Sequence, residues 1–345
     1  MLKAVSTVGE NKMTSDARVI IPAMFIPGFR TSLAIQNNCE KNILFRTWGG
    51  LGDQICAEPT LRYALKYFSK DMASISLTSE RPELFTHLNF KEVFDETKAR
   101  PLFEKYLLFE TITPPDESNL VWQFFSHMLT NCVDFPSLCA LRSQLPVADR
   151  EIYLEGQTTP AAEGLENKVF IHAGRHWPSK TFPKEWWDIV IRTIAESGAI
   201  PVLIGADTDD NRGTVDVDAT HCLDLRNRLT AKETIHTLQK AKVLLTNDSA
   251  PLHMAASCDP NDKDLTGNCW IGYIATCKHP DYITHHRKGV WQWREVNHGL
   301  GGMWDIVSHI PNQEKKVEVD KIDLEILKSW LPEPRKFAQW GLGKL

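Results

Sequence analysis

Asp53 closes a glycine-rich stretch, Gly49-Gly-Leu-Gly-Asp53, that follows the apolar run Ile43-Leu-Phe45 and precedes a helix-like run from Leu61 to Phe68. Glycines let backbone approach a ligand closely, and the head of the next helix offers free N–H groups to an anion. A phosphate loop would carry lysine at the end of such a stretch. A carboxylate repels phosphate, so Asp53 either caps the helix or removes a substrate proton as a general base. A second stretch, His172-Ala-Gly-Arg-His-Trp-Pro-Ser-Lys180, leaves a strand and holds Arg175, His176 and Lys180 ahead of the helix start Pro183-Lys-Glu185. Three potential cations beside a helix N-terminus suit a diphosphate, or else form a solvated charged surface. The third, Thr246-Asn-Asp-Ser-Ala-Pro-Leu-His-Met-Ala-Ala256, reads as strand, polar turn and helix, with Pro251 in the first helical turn. Asp248, Ser249 and the N–H groups after them suit ribose, phosphate or sugar hydroxyls, and His253 either joins them or packs as a satisfied histidine.

The elements that must position these residues alternate. Strands at 42–45, 74–77 and 106–112 are interleaved with a helix near 58–69, and a helix is expected over 120–133. The segment 156–168 then dissolves into small, polar and turn-forming residues, as a linker does. Beyond it come strands at 169–172, 200–204, 243–245 and 269–274 and helices at 184–196, 231–241 and 251–257. This is the rhythm of parallel sheets covered by helices, so the expected class is α/β with two Rossmann-like domains in tandem. The divisions are residues 1–155, with 1–41 as an extension, a linker at 156–168, a second domain at 169–320, and a C-terminal helix and tail at 321–345. In such sheets ligands bind at the carboxyl ends of strands, where all three stretches lie.

A length of 345 residues and 42% hydrophobic content allow two cores, and a net charge of −5 argues against a surface built throughout for nucleic acid. Eight scattered cysteines without CxxC pairs fit a reducing cytoplasm. The apolar run 19–29 is broken by two prolines and falls short of the roughly 20 residues that span a bilayer, so no signal peptide or membrane span is read. Asp207, in an Asp-x-Asp after the strand at 201–204, would meet ribose hydroxyls, hold a divalent metal, or form a solvated turn. The tract 277–298 mixes four histidines, four Lys or Arg and two tryptophans without zinc-ligand spacing. It suits a phosphate backbone with stacked bases, or a loop sealing a pocket.

Together, Gly-Asp followed by Pro59, Trp-Pro-x-Lys-x-Phe-Pro-x-x-Trp, and Asn-Asp-Ser-x-Pro-x-His-x-Ala-Ala resemble the heptosyltransferase-like glycosyltransferases, family 9, over roughly residues 42–275. The resemblance implies a GT-B fold, two Rossmann-like parallel-sheet domains facing across a cleft, with a nucleotide-sugar held mainly by the second. It implies an inverting, metal-independent transfer to an acceptor hydroxyl, with Asp53 as base, the nucleotide-sugar as co-substrate and no further cofactor. Gly52, Arg175, Lys180, Asp207, Leu229, Asp248, Ser249, Ala250 and His253 are then the donor-binding positions. Ala250 stands where many members have glycine. The implied acceptor is a lipopolysaccharide or other surface glycan; the basic Trp-rich tract raises a hydroxymethylated DNA base as an alternative. A GT-B epimerase and a non-catalytic nucleotide-sugar-binding module are the rivals from other classes.

Overall fold

The computed structural model describes residues 42–69, 74–99, 101–111, 135–143, 145–146, 151–175, 181–207, 213–262, 269–274 and 331–345. The expected helix at 120–133, the helix-like piece at 321–330, the extension at 1–41 and the tract at 277–298 lie outside them.

Four parallel strands form the first sheet: β1 (Asn42–Thr47), β2 (Ser74–Ser79), β3 (Val93–Asp95) and β4 (Leu107–Glu110), in the order β3-β2-β1-β4. Burial of all but the first residue of β1 fits the apolar run Ile43-Leu-Phe45 at its centre. Helix α1 (Leu51–Phe68) covers one face, with Phe45 stacked on Phe109 at 5.2 Å and tilted against Phe68 at 6.3 Å. Helix α2 (Phe135–Arg142) packs on α1.

The second sheet holds β5 (Lys168–His172), β7 (Ile200–Leu203), β9 (Leu223–Asp224), β10 (Val243–Asn247) and β11 (Trp270–Ile274), parallel in the order β11-β10-β5-β7-β9. A two-stranded antiparallel ribbon, β6 (Gly174–Arg175) with β8 (Gly213–Thr214), stands beside it. Helices α3 (Lys184–Glu196), α4 (Ala231–Lys240) and α5 (Ala250–Ala255) belong to this half. Counted from the start of each sheet, both orders run 3-2-1-4, the Rossmann order. The order in which strands are added reverses between β1 and β4 in one sheet and between β5 and β10 in the other.

Two readings from the sequence shift. Gly52 and Asp53 are not loop: α1 begins at Leu51, seven residues before the expected start, so only 48–50 connect strand to helix. The Pro-rich stretch after residue 330 is a helix start, because Pro334 fits a first turn whose N–H groups need no partner, and Glu333 caps it. This helix, α6 (Pro334–Leu342), packs on α3, where Phe337, Trp186, Trp187 and Phe182 form an aromatic cluster.

Despite its composition, the segment 156–168 is docked against the second half. Gln157 N–H donates to the Lys232 carbonyl at 3.0 Å, and a Cβ on Gly156 would lie 2.6 Å from His236 Cβ and 2.8 Å from its backbone. Just before it, Ile152 and Leu154 exchange backbone hydrogen bonds with Cys258. Buried Glu58 of α1 accepts from Tyr153 N–H at 2.9 Å and Arg62 Nε at 2.8 Å, while Glu155 joins Thr86 to Lys232. One apolar cluster runs from Ile43, Phe45 and Leu61 under the first sheet to Phe170, Leu244 and Leu252 under the second.

Candidate active site

The head of α1 and the loop after β10 meet at the two reversal points. A Cβ placed on Gly52 would lie 3.0 Å from His253 Cδ2 and 3.4 Å from the Ala250 Cα, so the absence of a side chain at residue 52 lets the two elements touch. The role of Gly52 in the structure is therefore contact with the other half. His253, 5% exposed, fills the same seam, its Nδ1 lying 3.6 Å from the Cys56 thiol of α1.

Asp53 follows immediately, half-buried in the third helical position. Gly50 occupies the cap position and has no side chain to offer, so Asp53 reaches back and its Oδ2 accepts the Gly50 N–H at 2.9 Å. That contact uses one carboxylate oxygen. The other has no protein partner among the described residues. Capping and proton abstraction are thus compatible at this residue: the cap fixes the rotamer and the second oxygen remains for a hydroxyl.

Across the seam, the carboxyl ends of β5 and β10 are stitched together. Asn247 Nδ2 donates to the Gly174 carbonyl at 2.9 Å, and a Cβ on Gly174 would come within 2.6 Å of both Asn247 Oδ1 and His172 Cε1. Asp248 is buried, at 7% exposure, and Ser249 and Ala250 are half-buried. Although Ser249 is the N-cap residue of α5, its hydroxyl does not cap the helix and instead sits 2.9 Å from His172 Nδ1. With only six residues, α5 is too short for its dipole to count heavily in holding an anion.

Arg175 is exposed at the end of β6 and lines a cavity of about 390 Å³ with Thr181, Lys184, Glu185 and Asp216. The floor of this cavity is the head of α3, a 13-residue helix whose cap, Pro183, provides no side-chain acceptor, so its first N–H groups are available to an anion. Lys184 is paired with Asp188 at 2.6 Å, and Glu185 and Asp216 work against a negative ligand, which leaves Arg175 as the principal described cation. His176 and Lys180 lie outside the described residues.

Asp207 is committed to its own turn. Oδ1 accepts the Thr214 N–H at 3.2 Å, Oδ2 accepts from Asn227 Nδ2 at 3.2 Å, and these bonds, Asn227 foremost, hold its carboxyl below the usual range. A Cβ on Gly213 would lie 2.3 Å from Oδ1, so the turn closes tightly on the carboxylate. Leu229 is half-buried two residues before α4, whose N-cap Thr230 exchanges hydrogen bonds with Glu233.

The sequence profile of glycosyltransferase family 9 (heptosyltransferase) matches residues 84–261, slightly more than half of the chain. The chain belongs to glycosyltransferase family 9. It is thus a glycosyltransferase, and its parallel-sheet halves have the GT-B fold. The matched segment contains Arg175, Asp207 and the 248–253 loop; Asp53 precedes it, and its place beside that loop comes from the contacts of Gly52. A glycosyltransferase family 9 structure from Veillonella parvula superposes with a TM-score of 0.53 at 13% identity, covering 87% of this chain and 98% of that one. The iron-containing dodecameric glycosyltransferase TibC from enterotoxigenic E. coli gives 0.56 at 14% identity, covering 87% and 76%. A second TibC structure, described as a heptosyltransferase in complex with ADP-D-beta-D-heptose, gives 0.53 at 13% identity, covering 87% and 77%. Comparison with curated protein sequences gives no match. Among the described residues of the family 9 chain, no three His, Cys, Asp or Glu side chains cluster to hold a metal ion, and no helix is long and apolar enough to cross a membrane.

The sequence did not single out His172. It ends β5 at 8% exposure, and burial pushes its imidazole down to about 4 from an ordinary 6.5. Only its position one strand away from a serine marks it, and that neighbour is 77 residues distant in the chain. Its titration has a sign. Between pH 6.5 and about 4 the unfolded chain binds a proton that the native state refuses, so stability falls as pH drops through that window. The full difference is worth roughly 3 kcal/mol. Urea midpoints measured at pH 7 and pH 4.5 should lie further apart for the wild type than for His172→Asn; equal gaps would show that His172 is not the group responsible.

Proposed function

We propose that this family 9 protein is an inverting, metal-independent transferase that moves a sugar from a nucleotide-sugar to an acceptor hydroxyl, with Asp53 as general base. The observation that carries the reading is the direct contact of Gly52 with Ala250 and His253, which sets a half-free carboxylate of one Rossmann half next to the polar loop of the other. In the proposed mechanism Asp53 takes the acceptor proton as the hydroxyl attacks the anomeric carbon from the face opposite the leaving group. Negative charge grows on the departing nucleoside diphosphate. Arg175, the N–H groups heading α3 and Lys180 meet that charge with fixed donors, so little reorganisation accompanies bond cleavage. Asp248, Ser249 and His253 hold the donor from the side of β10. Asp207, whose carboxylate already serves its turn, acts on the donor only by shaping that turn.

TibC is described with ADP-D-beta-D-heptose, which makes an ADP-activated heptose the first donor to test; the family resemblance carried by the sequence motifs makes a surface glycan the first acceptor class. A thermal-shift screen of ADP-, UDP- and GDP-sugars should raise the melting temperature with one nucleotide series, since a ligand at 100 times its Kd adds about 2.7 kcal/mol. The same donor should then release nucleoside diphosphate slowly to water and faster with acceptor. A shift without any release would make the protein a binding module instead.

A further inference from the structure

Ser249 stands at the reversal point of the second sheet, and what surrounds its hydroxyl is more specific than donor binding alone requires. Three groups compete for it. His172 Nδ1 is 2.9 Å away, Thr246 Oγ1 3.1 Å, and the Asn247 carbonyl 3.3 Å. The Thr246 hydroxyl already donates to the Asn247 carbonyl at 3.0 Å, and its Oγ1 lies 3.4 Å from the same Nδ1. The hydrogens of two hydroxyls and one imidazole must therefore be shared among few acceptors, and the imidazole nitrogen decides the arrangement. If Nδ1 carries the proton it donates to Ser249 Oγ, and the serine O–H is left for the Asn247 carbonyl at 3.3 Å or for a ligand. If Nδ1 is bare, it captures the serine proton and the hydroxyl can only accept.

The ring is held in place by more than these bonds. Two glycines flank it: a Cβ on Gly174 would lie 2.6 Å from Cε1, and one on Gly205 would lie 3.1 Å from Cδ2. The backbone at both positions thus closes on the imidazole, fixing its plane while Nδ1 faces the serine. The strand positions before it in β5, Val169, Phe170 and Ile171, are buried and apolar.

We propose that His172 is a positioning residue for the donor site: by donating from Nδ1 to Ser249 Oγ it turns the serine hydroxyl outward, as a hydrogen-bond donor to the diphosphate of the bound nucleotide-sugar. The inference rests on the reading of the 248–253 loop as donor-binding, and it adds the residue that sets that loop's proton. His172 itself touches no substrate.

Asn and Gln separate this role from a structural one. An Asn amide puts a polar atom where Nδ1 stands, whereas the Gln amide reaches the position of Nε2, so two similar polar substitutions predict different outcomes. ADP, UDP and GDP binding to the full chain is measured by calorimetry, and the tightest of the three is followed through His172→Asn, His172→Gln, Ser249→Ala and the double variant His172→Gln/Ser249→Ala. His172→Gln is expected to weaken binding about tenfold and Ser249→Ala by a similar factor. The double variant should be no weaker than either single one, because both remove the same contact. His172→Asn should stay within about threefold of wild type. Equal binding by His172→Gln and wild type, or losses that multiply in the double variant, would overturn the inference while leaving the donor site intact. A wild-type protein that binds none of the three nucleotides would overturn the donor site and this inference together.

Discussion

Asp53→Asn should lower turnover by about 10²- to 10⁴-fold while leaving the fold and nucleotide affinity close to those of the wild type. The amide keeps an oxygen able to accept the Gly50 N–H, so the first turn of α1 stays closed, but it cannot take a proton from an attacking hydroxyl. Asp53→Ala is the informative partner. It removes the base and the cap, and so adds a stability loss of about 1 kcal/mol that the Asn variant does not show. Steady-state kinetics with donor and acceptor, read beside thermal melts of both variants, separates the two functions of one carboxylate. An Asn variant with wild-type kcat would confine Asp53 to the capping role.

Arg46→Met should produce the largest loss of stability in the first half, about 3–5 kcal/mol. The guanidinium, 7% exposed, forks onto Glu96, 2% exposed, with Nε at 3.1 Å from both carboxylate oxygens, and it also holds Glu110 at 3.2 Å. Phe103 lies 5.6 Å beneath it. Removing the cation strands a buried carboxylate, which costs far more than the pair itself contributes. Arg46→Met/Glu96→Leu should therefore recover most of the loss, and Arg46→Lys should fall between, since an ammonium cannot fork. Urea denaturation of the three variants tests the ordering. A double variant less stable than Arg46→Met would mean that the carboxylate has other work at that position. The cluster supports β1 at the residue before Thr47, so activity losses in these variants should track the folded fraction.

The strands that could be read from the sequence are those buried on both faces. Runs such as Val169-Phe-Ile171 and Val243-Leu-Leu245 are apolar without interruption because helices cover both sides of their sheet. Val93–Asp95 and Leu223–Asp224, three and two residues at sheet edges, carry no such run and went unread. The start of α1 was misplaced because glycine disfavours a helix locally, whereas Gly52 is fixed by a contact with residue 253 that local propensity cannot register. A similar long-range cause ties the polar segment after residue 155 to α4, through the backbone of His236. In the candidate site, Arg175, Asp248 and Ser249 could be picked out because each lies in a polar stretch between an apolar strand and the start of a helix. His172 was not, because a histidine closing an apolar strand looks like any strand residue until Ser249 is folded against it. The competition of Asp207 between ribose and turn was legible only as a choice, and Thr214 and Asn227 are what claim it.

The shared apolar cluster beneath the two sheets restricts how this enzyme can diversify. Phe45 and Leu61 from one half and Phe170 and Leu252 from the other belong to that one interior, whereas Trp187, Ile191 and Phe337 form a second cluster confined to the second half. Substitutions at the rims where strands end escape the constraint that the shared interior places on both halves at once.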